Sequence, residues 1–414
     1  MDKVKKIFTS LLPFWIALTL SKLGSGLYYG LIAPLGERYM PLWIVGLLVG
    51  GGSFIQLLLD VPIGNLLDKF GYLRFLRLAF FVFMFTGLFI IPNLGIVGFL
   101  LSLLAATIGW LFFEPSINAY ILSHAPKEDA GEFFSFRDVF NAIGIVLSVV
   151  ALGYLLLLSN TLIGGTIAVV LFIAWICLFF VAKDKVKISK EPAHPLQASY
   201  IHRHYIHQIF KVLNRLNPAS TMLLLLNLSS SIFYAVVWFV IPLELVHQAH
   251  SSWLNLGLGA FDLAIVLSGL FLGHLADRAN RRLLVLIGLL MFSVSGLILS
   301  FNFSWPFLVF SFLASVGDEM TGVSLWTWLH SLDKDHGSDG LLSGLITLAY
   351  DLGWAIGPIM AGILYYKIGP SWTIATSAFM IFITWVIYVF VSRKYKFLPI
   401  ISPLHKPHHP RYRT

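Results

Sequence analysis

Long apolar runs recur along the chain, each close to the ~20 residues a helix needs to cross about 30 Å of hydrocarbon, and short polar breaks separate them. Twelve spans are predicted, six per half: 8–33, 41–66, 74–92, 96–122, 137–158 and 161–182, then 219–245, 252–275, 283–302, 305–330, 341–366 and 371–392. This pattern predicts an all-α membrane protein of twelve transmembrane helices in two pseudo-symmetric six-helix domains. The domains are residues 1–182 and 219–392, joined by a cytoplasmic linker at 183–218 and followed by a basic tail at 393–414.

The polar breaks are not all alike, because one of them occurs twice. Gly64-Asn65-Leu66-Leu67-Asp68-Lys69-Phe70-Gly71 is echoed by Gly273-His274-Leu275-Ala276-Asp277-Arg278-Ala279-Asn280, and 273 − 64 = 209 residues is about half the chain. Each copy sits between two apolar runs and is expected to form a tight loop at a membrane face, so the chain is an internal duplication. The register persists: Gly131 matches Gly340, Gly144 matches Gly353 and Gly153 matches Gly362 at the same offset. In the eleventh span Gly353, Gly357, Pro358 and Gly362 are expected to allow close helix packing and a kink. The matching stretch of the fifth span has Ser148 in place of Gly357 and no proline.

Composition narrows the picture further. With 58% hydrophobic and 12% charged residues and a mean hydropathy of +0.84, the chain cannot be a water-soluble globule of this size. Apart from Lys22 inside the first span, and Arg38 and Lys367 on the other side, the basic residues fall on one predicted face, which insertion places in the cytoplasm together with both termini. The net charge of +8 is therefore read as topological bias, not as a nucleic-acid footprint. Cys177 is the lone cysteine, which excludes an intrachain disulfide and a cysteine metal site. Met1 to Lys6 precede an apolar stretch too long for a signal-peptide core, read as a retained first span. In the linker, Ile201, Tyr205, Ile209, Val212, Leu213 and Leu216 share one helical face, which suits a helix lying on the inner leaflet. The histidines at 202, 204 and 207, and at 405, 408 and 409, are read as solvated side chains of basic segments, so no metal and no cofactor are expected.

The repeated Gly-x-Leu-x-Asp-Arg/Lys signature between spans two and three, and again between eight and nine, resembles the loop signature of the major facilitator superfamily, and the resemblance covers nearly the whole chain. Tyr72 and Leu73 depart from it where basic residues are usual, although Arg74 and Arg77 follow, and Asn280 replaces the last glycine. The preceding Asp60-Val61-Pro62-Ile63-Gly64 is similar to a lead-in found in many bacterial members, several of them exporters. By resemblance, Asp68 and Asp277 would latch the cytoplasmic side. Asp68 would meet the start of span eleven, and Gly64, Lys69, Gly71, Arg74, Gly273, Arg278, Arg281 and Arg282 would complete the two gate loops. A Gly-Pro motif that the superfamily's drug antiporters carry in span five is absent here.

Charges inside hydrocarbon normally face a cavity or a partner. Those predicted within spans are Lys22, Asp60, Glu114, Asp262, Asp318, Glu319 and Asp351. The resemblance implies that spans one, four, seven and ten line the central cavity. A carboxyl group in low-dielectric surroundings holds its proton closer to neutral pH. Asp318 or Glu319 is therefore the expected carrier of a coupling proton, with Asp351 or Glu114 in support. Lys22 is expected to pair with one of these acids or to bind an anionic substrate group. A purely structural lysine–acid network is the competing reading. The cavity-facing spans also carry Tyr28, Tyr29, Trp110, Phe113, Tyr234, Trp238 and Trp326, an aromatic wall that suits an amphipathic solute better than a free sugar.

These features together point to a secondary active transporter in the cell membrane (the inner membrane in a Gram-negative cell). It is expected to act as a monomer that alternates access around a mid-membrane site and to couple efflux of a small amphipathic molecule to protons. Proton-coupled uptake of a metabolite or sugar, and lipid flipping, use the same architecture. No nucleophile, metal-ligand or phosphate-loop constellation appears, so the chain is not expected to be an enzyme.

Overall fold

The computed structural model describes residues 11–92, 94–124, 130–155, 159–181, 218–248, 252–278, 280–332 and 339–394. The expected amphipathic linker helix, both histidine trios and the basic tail beyond Lys394 lie outside the described residues.

Within them the protein is all-helical, as hydrocarbon requires of a chain whose backbone must satisfy its own hydrogen bonds. The elements are α1 (Leu12–Glu37), α2 (Leu42–Phe70), α3 (Tyr72–Leu88), α4 (Gly95–His124), α5 (Ala130–Leu155), α6 (Asn160–Cys177), α7 (Pro218–His247), α8 (Ser252–Arg278), α9 (Arg281–Ser300), α10 (Trp305–Leu332) and α11 (Asp339–Lys394). Twelve spans were expected, and eleven helical elements are found among the described residues. The difference lies in α11, which is 56 residues long and breaks only at Gly369, where φ is +82°. The expected spans 341–366 and 371–392 are the two arms either side of that break. Among the described residues nine helical stretches are long and apolar enough to cross a membrane, with α11 counted once. α3 has only 17 residues, and the apolar part of α8 is the shorter Trp253–Ser268.

Several expected boundaries shift. The twice-occurring polar signature is mostly helix and not loop: Asp68 and Lys69 end α2, while Gly273, Asp277 and Arg278 end α8. Arg74 lies in the first turn of α3, and Arg281 and Arg282 begin α9. The connection in the first copy is Gly71 alone, at φ +92°, a conformation that a residue with a Cβ rarely adopts. In the second copy Asn280 caps α9, accepting a hydrogen bond from the Arg282 amide at 3.1 Å. The expected linker boundary also moves, because Pro218 already belongs to α7, and α11 runs to Lys394.

In the first half α1 packs on α5 and α6, and α3 packs on α4 and α6. In the second half α7 packs on α11, and α10 on α8 and α9. The halves meet along α2–α11, α5–α8 and α1–α7. The duplicated glycines do equivalent work in this frame. Gly144 presses α5 on the α1 backbone at Thr19, and Gly353 presses α11 on α7 at Ser231 and Ile232. Nine residues further on, Gly153 meets Asn255 of α8 and Gly362 meets the carbonyl of Leu42 in α2. Gly46 and Gly50 complete the α2–α11 seam against the carbonyls of Pro358 and Ala355, where any side chain would collide. All of these contacts between the halves lie towards the membrane face opposite the Gly71 and Asn280 connections. Towards the connection side, a Cβ added at Gly64 of α2 or Gly322 of α10 would meet none of the described residues within 4 Å.

Large apolar side chains cover the outer surface, among them Tyr154, Phe180, Phe271 and Phe390. On a water-soluble protein such a surface would aggregate, and here it is the lipid face.

Candidate functional site

The polar groups at mid-depth are held by helices whose small residues bring them close. Lys22 stands on the α1 face that Gly144 lets α5 approach. Its ammonium donates to Oε1 of Glu114 on α4 at 2.8 Å and lies 4.5 Å from the centre of the Trp110 ring and 5.0 Å from that of Phe113. Its acid is thus Glu114 of the same half, where Asp318, Glu319 and Asp351 were also open choices. Glu114 further feels Arg137 of α5, whose Nη1 donates to Oδ1 of Asn118 at 2.5 Å and whose Nε and Nη2 both reach Asp138. The first half therefore carries a connected line of charge across α1, α4 and α5. Sequence reasoning missed Arg137 as part of it, reading it as a topological charge at the start of a span.

The acids of the second half sit opposite. Asp318 of α10 is half-buried, with the Tyr234 hydroxyl of α7 facing it and Glu319 beside it. Asp262 of α8, also half-buried, feels Lys22 across the gap between the halves, and Glu319 feels Asp138. Among the described residues no cation forms an ion pair with Asp318, Glu319 or Asp262. Asp351 lies close to Tyr350 on α11 and has interactions of its own. Side chains of Asp60, Asp68, Asp277, Arg278, Arg281 and Trp326 lie outside the described residues, and so does the expected latch of Asp68 on the start of α11.

Aromatic rings bridge the two sides. Tyr29 packs on Trp110 of its own half at 5.9 Å between ring centres and on Trp354 of α11 at 6.2 Å, and Trp354 packs on Tyr350 at 6.3 Å. Tyr234 packs on Phe261 and Phe292 while turning its hydroxyl to Asp318, and Trp238 is half-buried further along α7. Two expected wall residues are instead interior packing. Phe113 is buried among Phe80, Phe83 and Trp110, and Tyr28 is buried within the first half. The α11 residues Trp354 and Tyr350 take their place, since they flank Asp351 on the helix that Gly353 and Gly357 press inward against α7.

At the face opposite the connections lies a second polar group that the sequence reading did not single out. Glu37 ends α1, Glu244 and His247 end α7, and Tyr365 and Tyr366 lie near the end of the first arm of α11. His247 Nε2 is 2.9 Å from Glu37 Oε2, and His247 Nδ1 is 3.0 Å from the Tyr365 hydroxyl. That hydroxyl donates to Glu244 Oε1 at 2.5 Å, while Tyr366 donates to Glu37 and Gln248 to Glu244. The contact of Glu37 with His247 and Tyr366 ties the first half to the second. Among the described residues no group of histidine, cysteine or carboxylate side chains could hold a metal ion.

Comparison with known proteins agrees with this architecture. The chain matches none of the curated proteins at the sequence level. Its fold is similar to the crystal structure of a bacterial homologue of the human lysosomal transporter Spinster, in an inward-facing and unoccupied conformation. The two share 14% identity at a TM-score of 0.68, over 95% of this chain and 99% of the other. The same homologue in an inward-facing, occupied conformation gives 13% identity and a TM-score of 0.69, over 94% and 98%. The human organic anion transporter MFSD10 (TETRAN) gives 14% identity and a TM-score of 0.65, over 92% and 99%. The family model described as Major Facilitator Superfamily matches residues 14–338 and 223–410, and with it the duplicated helices, the seams between the halves and the mid-membrane charges have one explanation: the chain belongs to the major facilitator superfamily of membrane transporters.

Proposed function

We propose that the protein is a secondary active transporter that exports a small amphipathic molecule in exchange for protons, with Asp318 as the proton carrier and Glu319 beside it. The observation that carries this reading is Asp318 itself. It is a half-buried carboxyl at mid-depth, faced by the Tyr234 hydroxyl and not ion-paired with any described cation. A carboxyl so placed can take a proton without breaking an ion pair, whereas Glu114, held by Lys22, cannot. The rings of Tyr29, Trp110, Trp354 and Tyr350 form a wall of apolar faces, each ring also carrying one O–H or N–H, which suits an amphipathic solute. If both connections face the cytoplasm, as the basic residues favour, the seams close the outer side and leave the site to load from within. The lipid bilayer is the partner that the apolar outer surface requires, and a monomer supplies every residue named.

Proton flux in proteoliposomes under an imposed pH gradient tests the reading, with lipophilic cations, organic anions and sugars offered in turn. The expected result is that one amphipathic class dissipates the gradient in the wild type and that Asp318→Asn abolishes this while still binding the compound. Normal coupled transport by both Asp318→Asn and Glu319→Gln would overturn it.

A further inference from the structure

The polar group at the face opposite the connections has a proton count that does not close. Three contacts run in series: Glu37 Oε2 to His247 Nε2, His247 Nδ1 to the Tyr365 hydroxyl, and that hydroxyl to Glu244 Oε1. Each needs one proton between its two heavy atoms. A neutral imidazole supplies one and the phenol of Tyr365 supplies one, but two ionised carboxylates supply none. The outer acceptors are already served, Glu37 by Tyr366 and Glu244 by Gln248, each with its own donor. The series is therefore one proton short whenever His247 is neutral and both acids are ionised.

We infer that this gate is a proton-binding site assembled from both halves, which takes up one proton when the halves close at this face. The extra proton sits on the second nitrogen of His247, on Glu37 or on Glu244, and any of the three completes the series. When the halves part, Glu37 leaves with α1. His247, already 42% exposed in its side chain, then finds water for either nitrogen, so the open state has no such requirement. The other ionisable groups on the three elements meeting here do not supply the missing proton. Just past the end of α1, Arg38 turns to Asn160 of α6 at 3.4 Å, and Tyr39 follows it in the chain. On α11, Lys367 is exposed and forms no ion pair among the described residues. Because the closed state holds one proton more than the open state, lowering the pH favours closure, by up to about tenfold in the closed-to-open ratio per pH unit. This site is separate from Asp318 and does not depend on the proposed substrate or on the direction of transport.

The test is a distance between the halves measured against pH. In a Cys177→Ser background, spin labels at Leu94→Cys and Ser304→Cys report on the exposed turns at this face in each half, and the protein is held in nanodiscs from about pH 5 to 8.5. The closed population of the wild type is expected to rise as pH falls, with a one-proton slope. In Glu37→Gln the amide donates to His247 Nε2, and in Glu244→Gln it donates to the Tyr365 oxygen. Each substitution supplies the missing hydrogen, so both variants are expected to stay closed across the range with the slope lost. His247→Phe loses the slope and shifts towards open. Repeating the series in an Asp318→Asn background, where the slope that remains is still expected to vanish on adding Glu37→Gln, assigns that part of the slope to this site and separates failure of this inference from failure of the proton carrier at mid-depth. A wild-type distance independent of pH overturns the inference. So does a Glu37→Gln protein that opens as far as Glu37→Ala, the behaviour of a plain ion pair.

Discussion

Lys22 and Glu114 form an ion pair at 2.8 Å between α1 and α4, and the same ammonium lies over the Trp110 ring. Both partners belong to the first half, so the pair travels with that half and is not made or broken as the halves rock. Lys22→Met would leave Glu114 at mid-depth with no ion-pair partner and only the influence of Arg137, and Glu114→Gln would strand the lysine. Thermal unfolding of the wild type, both single variants and the double variant should show the double losing less than the sum. The coupling expected is about 0.5–3 kcal/mol.

At the seams, Gly50→Val would drive a side chain into the Ala355 carbonyl, and Gly153→Val would drive one into Asn255. The two sites are on different helices and different seams, yet they should give the same phenotype: a folded protein that cannot close at the face opposite its connections and transports at least about tenfold more slowly. Accessibility of a cysteine placed at Leu42, buried against Gly362 on the α2–α11 seam, should rise in both.

Gly87 of α3 packs on the backbone of α6 at Gly164 and Ala168, away from the seams between the halves. Gly87→Leu should therefore cost stability, about 1–3 kcal/mol by overpacking, while the folded fraction keeps its transport rate. Comparing the unfolding temperature with the rate per folded molecule separates this outcome from a seam defect.

Arg77 is a charge that the sequence places near a membrane face without a role. In the fold its Nε and Nη2 both donate to the Leu178 carbonyl just past α6, and its guanidinium lies 4.7 Å from the Phe179 ring. Arg77→Ala removes a cap and a stacked cation at once and should lower stability by about 1–2 kcal/mol. Arg77→Lys should recover only part of it, because an ammonium cannot donate in a fork.

Much of the fold was legible because hydrocarbon imposes a length, and the repeat was legible because glycines at seams tolerate no replacement. Gly144, Gly153, Gly353 and Gly362 marked close contacts before any partner was known. The polar signature misled on one point. Polar residues at a span's end read as loop, yet Asp68, Lys69 and Asp277 are the last turns of helices that continue past the apolar region. Lys22 and Glu114 were both singled out, but their pairing was left open among several acids, since sequence distance says nothing about which helices adjoin. Glu244 and His247 went unread because their partners, Glu37 and Tyr365, are 210 and 118 residues from His247 along the chain, and no periodicity joins them. The available signal was the gathering of two acids, a histidine and two tyrosines at span ends predicted to lie on one face.

The two glycine seams carry one more implication. Gly153 of the first half meets the second half's eighth helix, and Gly362, its counterpart at the 209-residue offset, meets the first half's second helix. Each half thus offers the other the same pair of surfaces, as the two protomers of a symmetric dimer do. A six-helix ancestor carrying one such glycine and one such docking helix would already have been self-complementary, and fusing two copies would have required only a linker, with no new interface.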